Sequence, residues 1–420
     1  MIRSDKKAPP VLIQNALYGA EQAVYFMVYA AVTGFASLYL THNGFMSSEI
    51  GVMVAAANII ATIIQPLIAD VADRSKKLTV SRLLLILCGV MLSLSVSMLL
   101  MSGRSFALIA VYTLLFTCTT AALPLINSHC FALNGGGWRV NFGVCRGIGS
   151  LGYTVLSAGL GQLTALYGAS ILPGVDSLSV AVFAAVIIAV QSVFVLGGRR
   201  SEAIKADEKD GEGYEEIGLA EFIRRNRLFL VVSLGTMLIF FHNQTLDVFM
   251  LQIVSDVGGD SSDMGFLLAL TAFLEIPAMF LFDRINKRIS TAALIRLGAA
   301  GFTLKILGIW LSRSVPMMTA AICFEVIGLG FYFTGMVKFI DSVMSRGEAV
   351  KGQAVFTMMT TASSALSGVL SGLILDRWGA KTLTLIGFIL CLIGAVIVMA
   401  LIGRIKNMSG SEREDHDVRA

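Results

Sequence analysis

Charge is what this sequence has least of. Asp, Glu, Lys and Arg make up only 14% of its 420 residues, against about 25% in a soluble domain. Apolar residues reach 56%, where about 45–50% is usual, and the mean hydropathy is +0.78. A soluble chain of this length would carry more apolar surface than it could bury. That excludes a soluble enzyme, a secreted domain and a disordered chain, and favours a polytopic membrane protein. The net charge of +4 is small, so nucleic acid is not an expected partner. Cysteine is scarce too. Cys88, Cys118, Cys130, Cys145, Cys323 and Cys391 fall inside apolar runs without metal-ligand spacing and read as small hydrophobic filler. Neither a metal nor a cofactor is expected. The sequence has no HExxH, no GxSxG and no GxxxxGK[ST]. No catalytic residue can be named, an enzyme is not expected, and without a nucleotide-binding loop ATP is not the direct energy source.

What is present is apolar runs long enough to cross a bilayer, about 20 residues each. They fall at 14–40, 50–71, 80–101, 106–133, 141–166, 177–198, 228–254, 262–282, 290–312, 316–343, 353–375 and 382–403. They must be helices, because lipid offers no partner to backbone N–H and C=O groups. The first run is too long for the core of a cleavable signal, so it is expected to stay as a helix. Orientation follows from Lys and Arg placement. Arg3, Lys6 and Lys7 precede the first run; Arg74, Lys76, Lys77 and Arg82 follow the second; Arg284, Lys287 and Arg288 follow the eighth; Arg346 and Lys351 follow the tenth. The opposite loops hold Arg104, Arg313, Arg377 and Lys381. Both termini are therefore expected in the cytoplasm. The sequence divides into an N-terminal six-helix bundle (1–198), an acidic, glycine-containing linker (199–227), a C-terminal six-helix bundle (228–404) and a tail (405–420). Leu219 to Arg227 is expected as a short surface helix within the linker. The expected fold is an all-α membrane protein of twelve transmembrane helices in two bundles. The expected location is the inner or plasma membrane of a bacterial cell, as a monomer.

The halves echo each other. Asp73-Arg74 ends the second run and Asp283-Arg284 the eighth, 210 residues apart. Tyr167-Gly168-Ala169 ends the fifth and Trp378-Gly379-Ala380 the eleventh, 211 residues apart. Two parallel repeats around a midplane site is a secondary-transporter plan.

ADVADRSKK after the second run resembles the cytoplasmic loop signature of the major facilitator superfamily, with Ala69 and Lys76 where glycines are usual, and FDRINKR is its second-half copy. Asp73, Arg74, Asp283 and Arg284 are then gating candidates, a carboxylate near a helix end pairing with arginine. PLINSHCFALNGGGWRVNFGVCRGIGSLGY resembles the lactose permease-like branch, with its oligosaccharide/proton symporters and phenylpropionate permease relatives. The resemblance implies substrate binding by Arg146 and Tyr153. Asn127 occupies the position of the branch's acid. Independently, Asn127 and Arg146 flank the Gly135–Gly137 turn symmetrically, and Arg146, Ser150 and Tyr153 share one helical face at i, i+4 and i+7. Gly143 and Gly147 form a GxxxG expected to admit a neighbouring helix. An arginine inside a span costs about 2.5–3.5 kcal/mol on insertion scales, so Arg146 is expected to face a wet cavity. His129 is placed near the loop with no role.

In the second half Asp247, Glu275, Lys305 and Glu325 lie within runs. Asp247, Lys305 and Glu325 each sit about 12–14 Å from the outer face at 1.5 Å per residue, near the midplane, and can meet there. A carboxylate that gains or loses a cationic neighbour changes its hold on a proton, so these four are the proton-coupling candidates, Glu325 first, then Asp247 and Glu275. The resemblance supports a cation at Lys305 and places Glu325 where the symporters carry a histidine. Glu275 lies in LEIPAMF, similar to the phenylpropionate permease relatives, and Pro277 is expected to kink its helix. His242 and Asn243 in HNQTLD suggest a cavity-facing or unwound stretch in contact with substrate. Asn58 is a further lining candidate, as is Glu21 unless it reaches for the cytoplasmic face. Lys338 and Asp341 are expected to pair at i, i+3. The reading that follows is proton-coupled uptake of a sugar or other small polar solute, the partners being that solute, H+ and the bilayer. An aromatic or organic acid, or a nucleoside, is the alternative cargo, and an efflux transporter a third.

Overall fold

The structure is a computed structural model that describes residues 9–74, 78–196 and 219–417. Among these residues every regular element is helical, the outcome that backbone satisfaction in lipid requires. The first half comprises α1 (Val11–Tyr29), a π-helical turn (Ala30–Gly34), α2 (Ala36–His42), α3 (Ser47–Arg74), α4 (Val80–Met98), α5 (Phe106–Gly135), α6 (Phe142–Tyr167), a 3-10 turn (Ala169–Ile171) and α7 (Leu172–Leu196). Then follow α8 (Leu219–Arg225), α9 (Arg227–Ser255), α10 (Ser261–Asn286), α11 (Thr291–Leu311), α12 (Val315–Ile322), α13 (Glu325–Val343) and α14 (Arg346–Asp417), which bends at Gly379. Among the described residues each of the twelve apolar runs is thus largely helical. Among the described residues eight helices are long and apolar enough to cross a membrane, or nine if α1 and α2, bent by 40°, form one span. α8 lies within the stretch of the linker expected to form a short helix, and its Arg225 pairs with Glu221 one turn back at 2.6 Å.

Three runs that read as continuous are interrupted. The first passes through the π-helical turn, the tenth breaks at Cys323–Phe324 between α12 and α13, and α9 has a non-helical residue at Phe249 (φ −112°, ψ 24°). Interruptions of this kind gather at functional sites. Pro277 lies inside α10 without ending it.

The chain forms two compact units, the described parts of Met1–Glu208 with Asp260–Ala272, and those of Lys209–Gly259 with Phe273–Ala420. In the first, α6 lies close along α1. Gly149 meets the Phe26 ring and Gly152 the backbone of Ala23, so a side chain at either would have no room. This is the close helix approach anticipated from glycine spacing, but one face further round than Gly143, which has only its own cap residue Asn141 nearby. A core of Tyr18, Cys130, Leu133, Trp138, Cys145 and Phe194 closes one end of the unit. The second unit is built on Phe229, Phe240, Phe302, Tyr332 and Met336.

The internal repeat has a backbone counterpart. Gly168 adopts φ 80°, ψ 170° and Gly379 φ 77°, ψ 176°. That region of backbone space is open essentially to glycine alone. The two YGA/WGA echoes therefore mark one and the same turn, made once in each half.

Candidate functional site

The second unit brings three of its four candidate charges together. α11 and α13 run antiparallel with their backbones nearly touching. Gly298 faces the backbone of Tyr332, and Gly301 faces Gly328 at a spacing no side chain could share. One turn beyond Gly301 comes Lys305, and just before Gly328 comes Glu325, so the glycine register sets the two charges opposite each other. Lys305 Nζ pairs with Glu325 Oε2, donates to Asn243 Oδ1 on α9 at 2.7 Å and lies 5.0 Å from the Phe302 ring centre. Lys305 is 1% and Glu325 0% exposed. Glu325 is also the first residue of α13, and the positive end of a helix favours a carboxylate there. Its second oxygen, Oε1, has no hydrogen-bond partner.

Asp247 follows Asn243 by one turn of α9. It is exposed, and the charges of both Lys305 and Glu325 act on it. Glu275 is half-buried on α10. The stretch around His242 and Asn243 is not unwound, and these two residues do not face an opening. Both residues are buried in continuous helix, and the departure from helical geometry comes later, at Phe249. Asn243 is occupied by Lys305. His242 packs against Gly387 of α14, and both its ring nitrogens lack partners.

In the first unit Arg146 and Tyr153 are half-buried on α6. The Arg146 guanidinium stacks 4.0 Å from the centre of the Phe26 ring and donates to Ser150 Oγ at 3.1 Å, which matches the expected shared face. Tyr153 points its hydroxyl at Gly34, the last residue of the π-helical turn, where an added methyl would lie 3.1 Å from the oxygen. Asn127 is half-buried on α5, with its carbonyl oxygen buried and unpartnered. Asn58 is half-buried on α3.

His129 is not at a loop and not inert. It is 1% exposed; its Nδ1 lies 2.7 Å from Glu21 Oε1 and its Nε2 3.0 Å from Ser81 Oγ. Glu21 accordingly neither lines an open cavity nor reaches for the membrane surface; it is fully buried. The partners come from α1, α4 and α5, and no local spacing could have joined them. The usable signal was the rarity of ionisable groups inside spans.

Of the gating candidates, Asp283 pairs with Lys338 of α13. Asp341, expected as the partner of Lys338, instead accepts from Gln353 at 3.3 Å. The carboxylate within ion-pair range of Lys338 comes from α10, not from the lysine's own helix. The side chains of Asp73 and Arg74 lie outside the described residues. A groove of about 920 Å³ between α3 and α5, with the Glu49–Arg104 pair among its lining residues, holds none of the candidates.

Residues 20–405 match the sequence profile of the MFS_1 like family. The chain belongs to that family. It is a multi-pass membrane protein of major facilitator type. A Deinococcus radiodurans protein named for sugar efflux is 26% identical over 151 residues, which is 34% of this chain and 36% of that one; the match spans about a third of each protein. A solved variant of the nucleoside transporter NupG superposes with TM-score 0.76 at 15% identity, over 92% of this chain and 99% of its own. A bacterial homologue of the human lysosomal transporter Spinster, inward-facing and unoccupied, gives 0.61 at 15% identity over 95% and 98%. At such identities the structural likenesses establish the fold alone.

Proposed function

We propose that this MFS_1 like protein takes up a sugar or another small polar solute together with a proton, by alternating access across the bacterial cell membrane. In this reading it has twelve spans in two six-helix bundles, both termini in the cytoplasm, and a place in the lactose permease-like branch. The observation that carries the coupling is the buried Lys305–Glu325 pair with Asp247 one turn beyond Asn243. A buried ion pair is held by its charge balance, and discharging one partner strands the other. A proton on Glu325 cancels its attraction for Lys305 and releases the ammonium toward Asp247. The lysine then ties α11 to α9 alone instead of to α13 as well. A proton thus biases a two-state element, which is what coupling requires.

Within the first unit, solute recognition falls to Arg146, Tyr153, Asn127 and Asn58. Tyr153 beside the π-helical turn and Asn127 with its unpartnered oxygen supply hydrogen bonds suited to hydroxyl-rich cargo. The test is substrate addition to de-energised proteoliposomes. Co-entry of protons turns the outer medium alkaline. Exchange of solute for protons, as an exporter would perform, turns it acid, and no pH change with any transported solute removes the coupling claim.

A second reading, uptake of an aromatic or organic acid, is favoured by Arg146. Its planar guanidinium, 4.0 Å from the centre of the Phe26 ring, suits a carboxylate better than an ammonium would. Competition assays separate the two: loss of acid uptake with sugar uptake kept in Arg146→Ala favours the acid.

A further inference from the structure

The first unit holds a buried polar network that the coupling scheme above leaves unused. Four helices contribute: Glu21 from α1, Ser81 from α4, His129 from α5 and Gln191 from α7. Glu21 Oε1 lies 2.7 Å from His129 Nδ1. His129 Nε2 lies 3.0 Å from Ser81 Oγ, and Ser81 Oγ donates to Gln191 Oε1 at 2.8 Å. Glu21 is 0%, His129 1% and Ser81 3% exposed.

The hydrogens can be counted. A serine hydroxyl has one to give, and Ser81 spends it on Gln191. With the Gln191 amide turned so that its carbonyl oxygen faces Ser81, the hydroxyl can only accept from His129, and in that orientation Nε2 carries a hydrogen. On the other side of the ring Nδ1 and a carboxylate oxygen face each other at 2.7 Å. Both are acceptors unless a proton lies between them. Either an imidazolium faces a carboxylate or a neutral ring accepts from a carboxylic acid. Both descriptions hold one proton more than a neutral histidine beside a glutamate anion. Burial favours the same count, because the dyad is then neutral overall and no lone charge sits in the membrane interior. The second Glu21 oxygen, Oε2, is buried without a partner, a place that suits a group relieved of full negative charge. The other titratable groups around the dyad are Tyr18 on α1, Cys88 on α4 and Cys130 on α5, on all of which the Glu21 charge acts, with Cys145 of α6 near Tyr18. α7 contributes the neutral Gln191.

We infer that Glu21 and His129 form a proton-binding site in the first unit, separate from the Lys305–Glu325 pair, which takes up and releases one proton. The use of that proton in transport rests on the proposed coupling; its binding does not. The test is therefore spectroscopic. The full chain, labelled with 15N-histidine and placed in lipid vesicles, has four histidines to resolve. The His129 resonances are assigned by their loss in His129→Asn or, if that variant does not fold, by elimination with variants of the other three. Followed across about pH 5 to about pH 9, the expected ring carries hydrogen on Nε2 and shares one proton between Nδ1 and Glu21, and any loss of that proton is a single step common to both groups. Glu21→Gln abolishes that step and Glu21→Asp restores it. A ring with bare Nε2 and protonated Nδ1 at every pH, unaffected by Glu21→Gln, overturns the inference. Should the dyad titrate as described while no solute moves protons, the site stands and the coupling proposal falls. Should protons move with solute, fewer per solute in Glu21→Gln places the dyad within the cycle.

Discussion

Removing Lys305 alone is expected to harm the fold more than removing it together with its partner. Lys305→Met leaves Glu325 charged and fully buried, a loss of about 3–5 kcal/mol by the usual cost of breaking a buried pair. Lys305→Met/Glu325→Gln is expected to recover much of that. Thermal unfolding of the solubilised variants checks it, and equal losses in the single and double variants would contradict the pairing. Arg146→Lys is expected to behave almost as badly as Arg146→Ala in solute affinity, by about tenfold or more, since a charge-assisted hydrogen bond is worth about 1.5–3 kcal/mol and an ammonium lacks the planar fork that Arg146 sets 4.0 Å from the Phe26 ring centre. Uptake affinity measured on both variants decides this. At this scale the sequence was informative wherever a charge interrupts an apolar run. Lys305, Glu325 and Asp247 could be picked out. Partners were less legible. The Lys338–Asp283 and Glu21–His129 contacts join residues 55 and 108 positions apart, and helix periodicity has nothing to say about which distant face lies opposite.

The helices themselves were the most readable level, because a run of about 20 apolar residues in lipid has no other way to satisfy its backbone. Their interruptions were not. Nothing in the composition of Ala30–Gly34 or Cys323–Phe324 announces a break, yet one lies beside Tyr153 and the other places Glu325 at a helix start. Glycine spacing promised a close helix contact on α6 and the contact exists, at Gly149 and Gly152 rather than at Gly143, since many glycines share the helix and only packing selects the face. Gly152→Val drives a branched side chain into the Ala23 backbone and is expected to cost about 1–3 kcal/mol, read as a lowered melting temperature. Gly168→Ala and Gly379→Ala are each expected to cost about 1–3 kcal/mol, and by similar amounts, because both turns use the same glycine-only backbone conformation. A large loss in one and none in the other would show that the repeat does not extend to these turns.

For the whole molecule, composition alone indicated a membrane protein, and the family match over residues 20–405 makes it a major facilitator protein. Cargo and energy source lie beyond what composition can carry, since they depend on a handful of charges among 420 residues. The structure gathers those charges into two separate clusters, Lys305–Glu325 with Asp247 in the second unit and Glu21–His129 in the first. The central claim is that the Lys305–Glu325 pair couples proton movement to solute movement. Its most direct measurement is proton flux during solute uptake into de-energised proteoliposomes, wild type beside Glu325→Gln. The account predicts that solute entry turns the medium alkaline in the wild type, and that Glu325→Gln still binds and exchanges solute but moves fewer protons with it. An unchanged proton-to-solute ratio in an active Glu325→Gln protein would contradict it.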